Sequence, residues 1–223
     1  NIVEVAVSNS DFSTLVAALQ KAELVTALQA DGPFTVFAPT NAAFNQLFTD
    51  LGVNGINDLT KEQLTPILLY HVIGAKVKST DLTNGYVTTL STGPGNKNVS
   101  LKVDATNLEL NGGVGITTAD IEATNGVIHV IDKVLLPPTL VDIALDNDNF
   151  SILVSALVKA ELVETLQGDG PFTVFAPTND AFNALFDALD VTGIADLSKE
   201  ALTPILLDHV VSGNVRSTDL TTG

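Results

Sequence analysis

The sequence predicts an α+β unit that occurs twice, with the second copy short of its β part. Three observations carry this. The phrase GPFTVFAPTNAAF at 32–44 returns as GPFTVFAPTNDAF at 170–182, with twelve of thirteen residues alike. Shifted by 138 positions, residues 1–85 lie on 139–223 without a gap, and 55 of those 85 positions are identical. Helix-period apolar spacing dominates up to residue 73, whereas 75–134 carries short β-branched runs divided by Gly and Asn turns. A period of that length belongs to a domain, since solenoid repeats run to about 20–50 residues. Helices followed by a mostly antiparallel β half make the α+β pattern. The expected domains are therefore 1–137, complete, and 138–223, holding the N-terminal helical part only.

Within the first unit, residues 2–29 read as helical. Phe12, Leu15, Val16 and Leu19 fall at i, i+3, i+4 and i+7, and Leu24, Val25 and Leu28 extend that side. Ser10 or Asp11 is placed to cap the main segment. ADGP at 30–33 is a stop and turn. FTVFA at 34–38 reads as a strand whose Phe34 and Phe37 face opposite sides. Thr40 then caps a helix with Ala43, Phe44, Leu47 and Phe48 on one face. Thr60 and Gln63 form a capping box for TKEQLTPILLYHVI at 60–73, and Thr65 is placed to recap the chain before Pro66. The β-like runs are YVTTL, VSLKV, LEL, VGITTADIEA and VIHVIDKVLL, with hairpin signals at Asn111–Gly112 and Asn125–Gly126. LLPPT at 135–139 predicts an extended, stiff join between the units.

Composition narrows the function classes. The net charge is −16, with 26 acidic residues against 10 Lys and Arg. Such a balance excludes nucleic acid, which needs a basic face, and disfavours docking on anionic lipid. No run reaches the roughly 18–20 apolar residues of a membrane helix, so direct insertion is not expected. The absence of Cys removes disulfide and thiol chemistry. There is no Met either, so Asn1 reads as the start of a processed, cut or excerpted chain.

The motifs FTVFAPTNAAFNQL, LLYHV at 68–72 and NGVIHVIDKVLLPP at 125–138, in that order and spacing, resemble those of the fasciclin domain family. The likeness covers all of 1–137 and the first part of a second domain. It implies a wedge-like β-sandwich with an N-terminal helical layer, in tandem, the second copy incomplete. It also implies a secreted or cell-surface protein used in adhesion or matrix building, with Tyr70 and His71 of the tyrosine–histidine motif as partner-binding candidates. In the second unit Asp208 stands where Tyr70 does, so a binding role shared by both units is in doubt.

The individual side chains favour structural work. The apolar setting of His71 suits a helix-end histidine bonded into the core, and His129, between Ile128 and Val130, suits a buried strand position. Thr40, Asn41 and Asp132, with the repeat partners Thr178 and Asn179, read as structural motif residues. No H-x-x-x-H or Cys pattern supplies the three or four ligands of a zinc site, so neither metal nor cofactor is expected. There is no G-x-S-x-G elbow. NGGVG at 111–115 lacks a Lys and a following helix, and DNDN at 146–149 lacks the Gly and distal Glu of a calcium loop. Asn98 and Asn149 fit the glycan acceptor pattern.

The second unit is expected to lack the strands that cover its helices, so that Phe172, Phe175, Phe182 and Phe186 are without partners. An excerpt of a longer array is the favoured explanation; proteolysis, or another chain completing the unit by self-association, are the others. The expected function is a non-enzymatic adhesion or matrix module with protein or polysaccharide partners, and filament formation a variant. The alternative is a carbohydrate- or small-ligand-binding module with a groove between helices and β half.

Overall fold

The computed structural model describes residues 1–168 and 170–220, and the chain divides after Pro137 into two compact units. The expected end of the second unit, at Gly223, lies outside the described residues.

The first unit opens with α1 (Ile2–Ser8), α2 (Ser13–Lys21) and α3 (Val25–Leu28). The single apolar stretch read from sequence is thus broken twice. At Asn9 the backbone turns extended, and α1 meets the following helical segment at 107°. At Glu23 φ is +58°. A straight helix offers one stripe, but this core needs Ile2, Val3, Phe12, Leu15, Leu19 and Leu28 to converge from several directions. Neither Ser10 nor Asp11 caps α2; Asn9 caps the 3-10 turn before it, accepting from the Asp11 amide at 3.0 Å.

Next come β1 (Phe34–Pro39), α4 (Asn41–Leu51) and α5 (Lys61–Tyr70). Thr40 caps α4, and Phe44 and Phe48 share its buried face with ring centroids 6.1 Å apart. The Thr60–Gln63 capping box opens α5. The helix then runs straight through Pro66, so the expected restart at Thr65 is corrected: its hydroxyl donates back to the Lys61 carbonyl at 2.8 Å. Pro66 forfeits only its own bond in the helix, and the buried Leu64 and Leu68 hold both sides of it in the core.

The strands are β2 (Val72–Ile73), β3 (Gly85–Gly93), β4 (Lys97–Asp104), β5 (Glu109–Leu110), β6 (Val114–Ala123) and β7 (Gly126–Ile131), bonded in the order β2-β1-β7-β6-β5-β4-β3. All pairs are antiparallel except β1–β7, which is parallel with Phe34 opposite Gly126 and Pro39 opposite Ile131. Register shifts between Ile116 and Thr118 and again between Thr118 and Ile121 bend β6, because a bulge kinks its strand. Apolar side chains consequently form two clusters. Helices α1, α2, α4 and α5 cover Val36, Ala38, Ile128 and Val130 on one side of β1 and β7. Phe37, Tyr70, Leu101, Leu110, Ile131 and Leu135 meet between the β2-β1-β7 leaf and the β3-β4-β5 leaf. This α+β arrangement, a folded sheet under a helical layer, leaves β7 buried along its whole length.

Asn111 and Gly112 take φ of +48° and +70°, and the Gly113 amide donates to the Leu110 carbonyl, as the hairpin signal requires. Asn125–Gly126 also lies at a strand junction, but neither residue has positive φ. Asn125 instead bonds to the N-terminal helical segment.

The second unit has α6 (Leu140–Leu145), α7 (Ser151–Lys159), α8 (Val163–Gln167), β8 (Phe172–Val174), α9 (Asn179–Leu189), α10 (Lys199–Asp208) and β9 (Val210–Ser212). Leu153, Leu157, Phe182, Phe186, Leu202 and Leu206 close a core of their own. The expectation that all four phenylalanines would lack partners is therefore corrected. Helix-on-helix packing buries Phe182 and Phe186, Phe172 is half-buried, and Phe175 alone is exposed. Among the described residues, no single helix is long and apolar enough to cross a membrane.

Candidate functional site

The motif residues gather around the C-terminal end of α5. Tyr70 ends the helix fully buried. Its hydroxyl donates to the Ser100 carbonyl at 2.9 Å and accepts from the Asn111 side-chain amide at 3.1 Å. Asn111 in turn accepts from the Lys102 amide at 3.1 Å, so one phenol pins α5 to the hairpins of the β3-β4-β5 leaf. Burial pushes the Tyr70 phenol up, with the Asn111 bond opposing.

His71 caps the same helix and is also buried. The Leu135 amide donates to Nε2 at 2.9 Å, so Nε2 is bare and Nδ1 carries the proton, given to the Ile67 carbonyl 2.8 Å away. Burial lowers its pKa from 6.5 to about 4, against the opposing Ile67 bond. Tyr70 thus reaches the outer leaf while His71 reaches the segment leaving β7. The resemblance places partner contact at both residues. The geometry turns both inward and occupies their polar atoms, leaving neither side chain at a surface.

His129 lies on β7, buried and stacked on Phe37 with ring centroids 5.6 Å apart. Its Nδ1 takes the Asp120 amide at 3.3 Å, and Nε2 lies 2.9 Å from the Val77 carbonyl. Asp120, at φ +63°, accepts from the Ser79 amide at 2.8 Å; the Ser79 hydroxyl and amide hold its carboxyl below the usual range. Asp132 accepts from the Gly115 amide at 2.8 Å and fastens the start of β6.

Asn41 supplies the cap that α2 lacks. Its Oδ1 accepts from the Thr14 amide at 2.9 Å and its Nδ2 donates to the Ser10 carbonyl at 2.9 Å. Asn179 repeats this with Ile152 at 3.0 Å and Asp148 at 2.8 Å. Thr40 and Thr178 take the Ala43 and Ala181 amides at 3.3 and 3.4 Å. The sequons differ in setting. Asn98 is exposed on β4 with its amide on the Thr89 carbonyl at 2.7 Å. Asn149 is exposed in a 3-10 turn, while Ser151 of its sequon receives the Asn179 amide at 3.0 Å.

Asn125 is the residue that sequence reasoning missed. It is buried; its Oδ1 accepts from the Ile2 amide at 2.9 Å, and its Nδ2 donates to the Leu28 and Ala30 carbonyls, both at 2.8 Å. Its backbone carbonyl accepts from the Phe34 amide at 3.0 Å. One side chain therefore joins the N-terminal helices to the top of the parallel strand pair. Among the described residues, no three His, Asp or Glu side chains are grouped to hold a metal.

A sequence model described as Fasciclin domain matches residues 10–137 and 148–223. The chain belongs to the fasciclin domain family. It is 44% identical over 137 residues to protein sll1483 of Synechocystis sp., covering 61% of this chain and 73% of that protein. Human periostin is 29% identical over 217 residues, 97% of this chain but 24% of periostin. A solved FAS1 domain pair from the insect cell adhesion molecule Fasciclin I covers 96% of this chain, which covers 77% of it, at a TM-score of 0.53 and 20% identity. At that identity the likeness shows the fasciclin fold alone.

Proposed function

We propose that this fasciclin chain is a non-enzymatic extracellular adhesion module, secreted or held at a cell surface, that binds a protein or polysaccharide partner through its first sheet. The observation that carries this reading is the outer face of β3–β4. Tyr86 stands 70% exposed there, opposite Lys102, with Thr88 opposite Ser100 beside it. The inward neighbours Leu101 and Val103 are buried, so the face is held by the core beneath it. Large exposed aromatics on firm supports are common interface anchors. The inward motif side chains and membership of the fasciclin domain family support the same reading. The charge of −16 favours neutral or basic partners over anionic surfaces.

The test is surface-plasmon binding of the immobilised chain to a panel of matrix proteins and polysaccharides. Saturable binding to at least one panel member is expected, weakened about thirtyfold by Tyr86→Ala. Tyr70→Phe should bind normally while losing about 1–2 kcal/mol of stability, because only an internal hydroxyl is removed. Binding lost in a folded Tyr70→Phe but kept in Tyr86→Ala would move the contact to the motif, and turnover of a polysaccharide would make the chain an enzyme.

A second reading has one specific support. An open groove of about 360 Å³ lies between α5 and β3, lined by Lys61, Glu62, Thr65, Pro66, Leu69 and Thr92. Its size suits a short oligosaccharide or small ligand. Oligosaccharide binding blocked by Thr65→Trp and indifferent to Tyr86→Ala would favour it.

A further inference from the structure

Asn–Gly pairs occur at 54–55, 84–85, 111–112 and 125–126, all in the first unit. Such a pair can react with itself: the Gly amide nitrogen, unshielded by a Cβ, attacks the Asn side-chain carbon. The fold decides which pairs do so, because attack needs nitrogen and Cγ brought almost into contact. Three of the side chains are fixed at both polar ends. Asn125 is buried, with Oδ1 on the Ile2 amide and Nδ2 shared by the Leu28 and Ala30 carbonyls. Asn111 accepts from the Lys102 amide and donates to the Tyr70 hydroxyl, both at 3.1 Å. Asn84 accepts from the Ala105 amide at 2.7 Å and donates to the Thr106 hydroxyl at 3.3 Å.

Asn54 is different. It is exposed in the loop between α4 and α5, and its side chain makes one bond, from Nδ2 to Asp58 Oδ2 at 3.2 Å. Nothing lies within 4 Å of the place a Cβ of Gly55 would take, and among the described residues no acceptor takes the Gly55 amide hydrogen. The carbon to be attacked and the attacking nitrogen are therefore both unencumbered. The second unit has the same loop without the reactive pair. Thr192 stands where Asn54 does, its amide and hydroxyl donating to Asp196 Oδ2 at 2.8 and 2.6 Å, as the Asn54 amide donates to Asp58 at 2.8 Å.

We infer that Asn54 is a self-modification site, where the folded chain converts an amide to isoaspartate without an enzyme. The Gly55 nitrogen gives its proton to solvent and bonds to Cγ of Asn54; the Cγ–Nδ2 bond breaks and the nitrogen leaves, protonated, as ammonia. Water then opens the cyclic imide. Breaking the new bond gives Asp, and breaking the original Asn54–Gly55 peptide bond leaves the chain running through Cγ as isoaspartate. The loop is loosened by either product. Asp58 loses an amide donor and faces a second carboxylate instead. Isoaspartate also adds a backbone carbon beside Ile56, which packs on the helical core. Lys21 Nζ ties this loop to α2 through the Ile56 and Asn57 carbonyls at 3.1 and 2.8 Å, and the added carbon displaces them. Lys159 ties the second loop in the same way, to Ile194 and Ala195 at 2.9 and 2.8 Å, and that loop stays intact.

The test is to age the full chain in mildly alkaline buffer and follow each Asn–Gly pair by peptide-mapping mass spectrometry. In the folded chain Asn54 should convert at least about tenfold faster than Asn84, Asn111 or Asn125, whereas in denaturant the four rates should be similar. Asn54→Thr, which copies the second unit, should fold normally and remove the fast conversion. In the aged protein the Asp58 and Leu59 amides, bonded to the Gly55 and Ile56 carbonyls, should exchange at least about tenfold faster, with Asp196 and Leu197 unchanged. Conversion of another pair as fast as Asn54 in the folded chain, or no conversion at Asn54, overturns the inference. Unchanged exchange at Asp58 after conversion overturns the loosening.

Discussion

Gly126→Ala is expected to destabilise the first unit strongly and leave the second unit's helical core unaffected. Gly126 begins β7 directly opposite Phe34 of β1. A Cβ there would overlap the Phe34 carbonyl oxygen and lie 2.8 Å from Cδ1 of Ile2. The Ile2 side chain can rotate away; the backbone oxygen cannot. Relief requires prying β1 from β7, which also strains the Asn125 bonds to Ile2, Leu28 and Ala30. The loss should be on the order of 3 kcal/mol or more, the upper range for overpacked sites, against a total stability of about 5–15 kcal/mol. Both tyrosines, Tyr70 and Tyr86, lie in the first unit and there is no Trp, so tyrosine fluorescence during denaturant unfolding reports that unit alone. An unchanged midpoint would show that the parallel pair does not hold the unit together.

The second large effect is a loss of first-unit stability on mild acidification. His71 is held neutral by burial, with a pKa of about 4 against an ordinary 6.5. The unfolded chain therefore takes up the proton first, and protonating the folded form would break the Leu135 bond to Nε2. The contribution, about 3 kcal/mol, is fully present above pH 6.5 and drains away as pH falls toward 4, where it has been lost. Below that value both states are protonated and this group adds no further slope. Denaturant unfolding at half-unit pH intervals should show the decline. His71→Gln should flatten it, because Gln has no proton to gain in that window. The other two histidines are present in both proteins, so the difference between the curves isolates His71. Equal slopes in the two proteins would contradict the burial argument.

Local features were the legible part of the fold. Caps at Thr40 and Thr60, the strand at 34–39 and the turn at Asn111–Gly112 depend on residues within a few positions of one another, so their patterns survive in a linear reading. The breaks at Asn9 and Glu23 were not legible, because apolar spacing continues across them and only the shape of the core decides where the helix bends. Pro66 misled for the opposite reason: a strong local signal was overridden by Leu64 and Leu68 packed on either side. The motif residues could be named from sequence, but their direction could not. Tyr70 and Tyr86 are the same residue type, yet one is sealed against Ser100 and Asn111 and the other faces outward. Asn125 looked like a turn residue because its partners, Ile2 and Leu28, are about a hundred positions away.

The repeat supplies its own control for the claim that the interior closes only where helices and the full sheet meet. The Phe37 and Phe175 amides make the same 2.9 Å bond, to the carbonyls of His71 and His209, within nearly identical sequence. Only the cover over them differs. Residue-resolved amide exchange on the full chain should find Phe175 exchanging at least about a hundredfold faster than Phe37, the latter opening only with the whole first unit. Equal protection at the two positions would mean that the helices and a two-stranded ribbon suffice, and that β7 and the outer leaf are dispensable to closure.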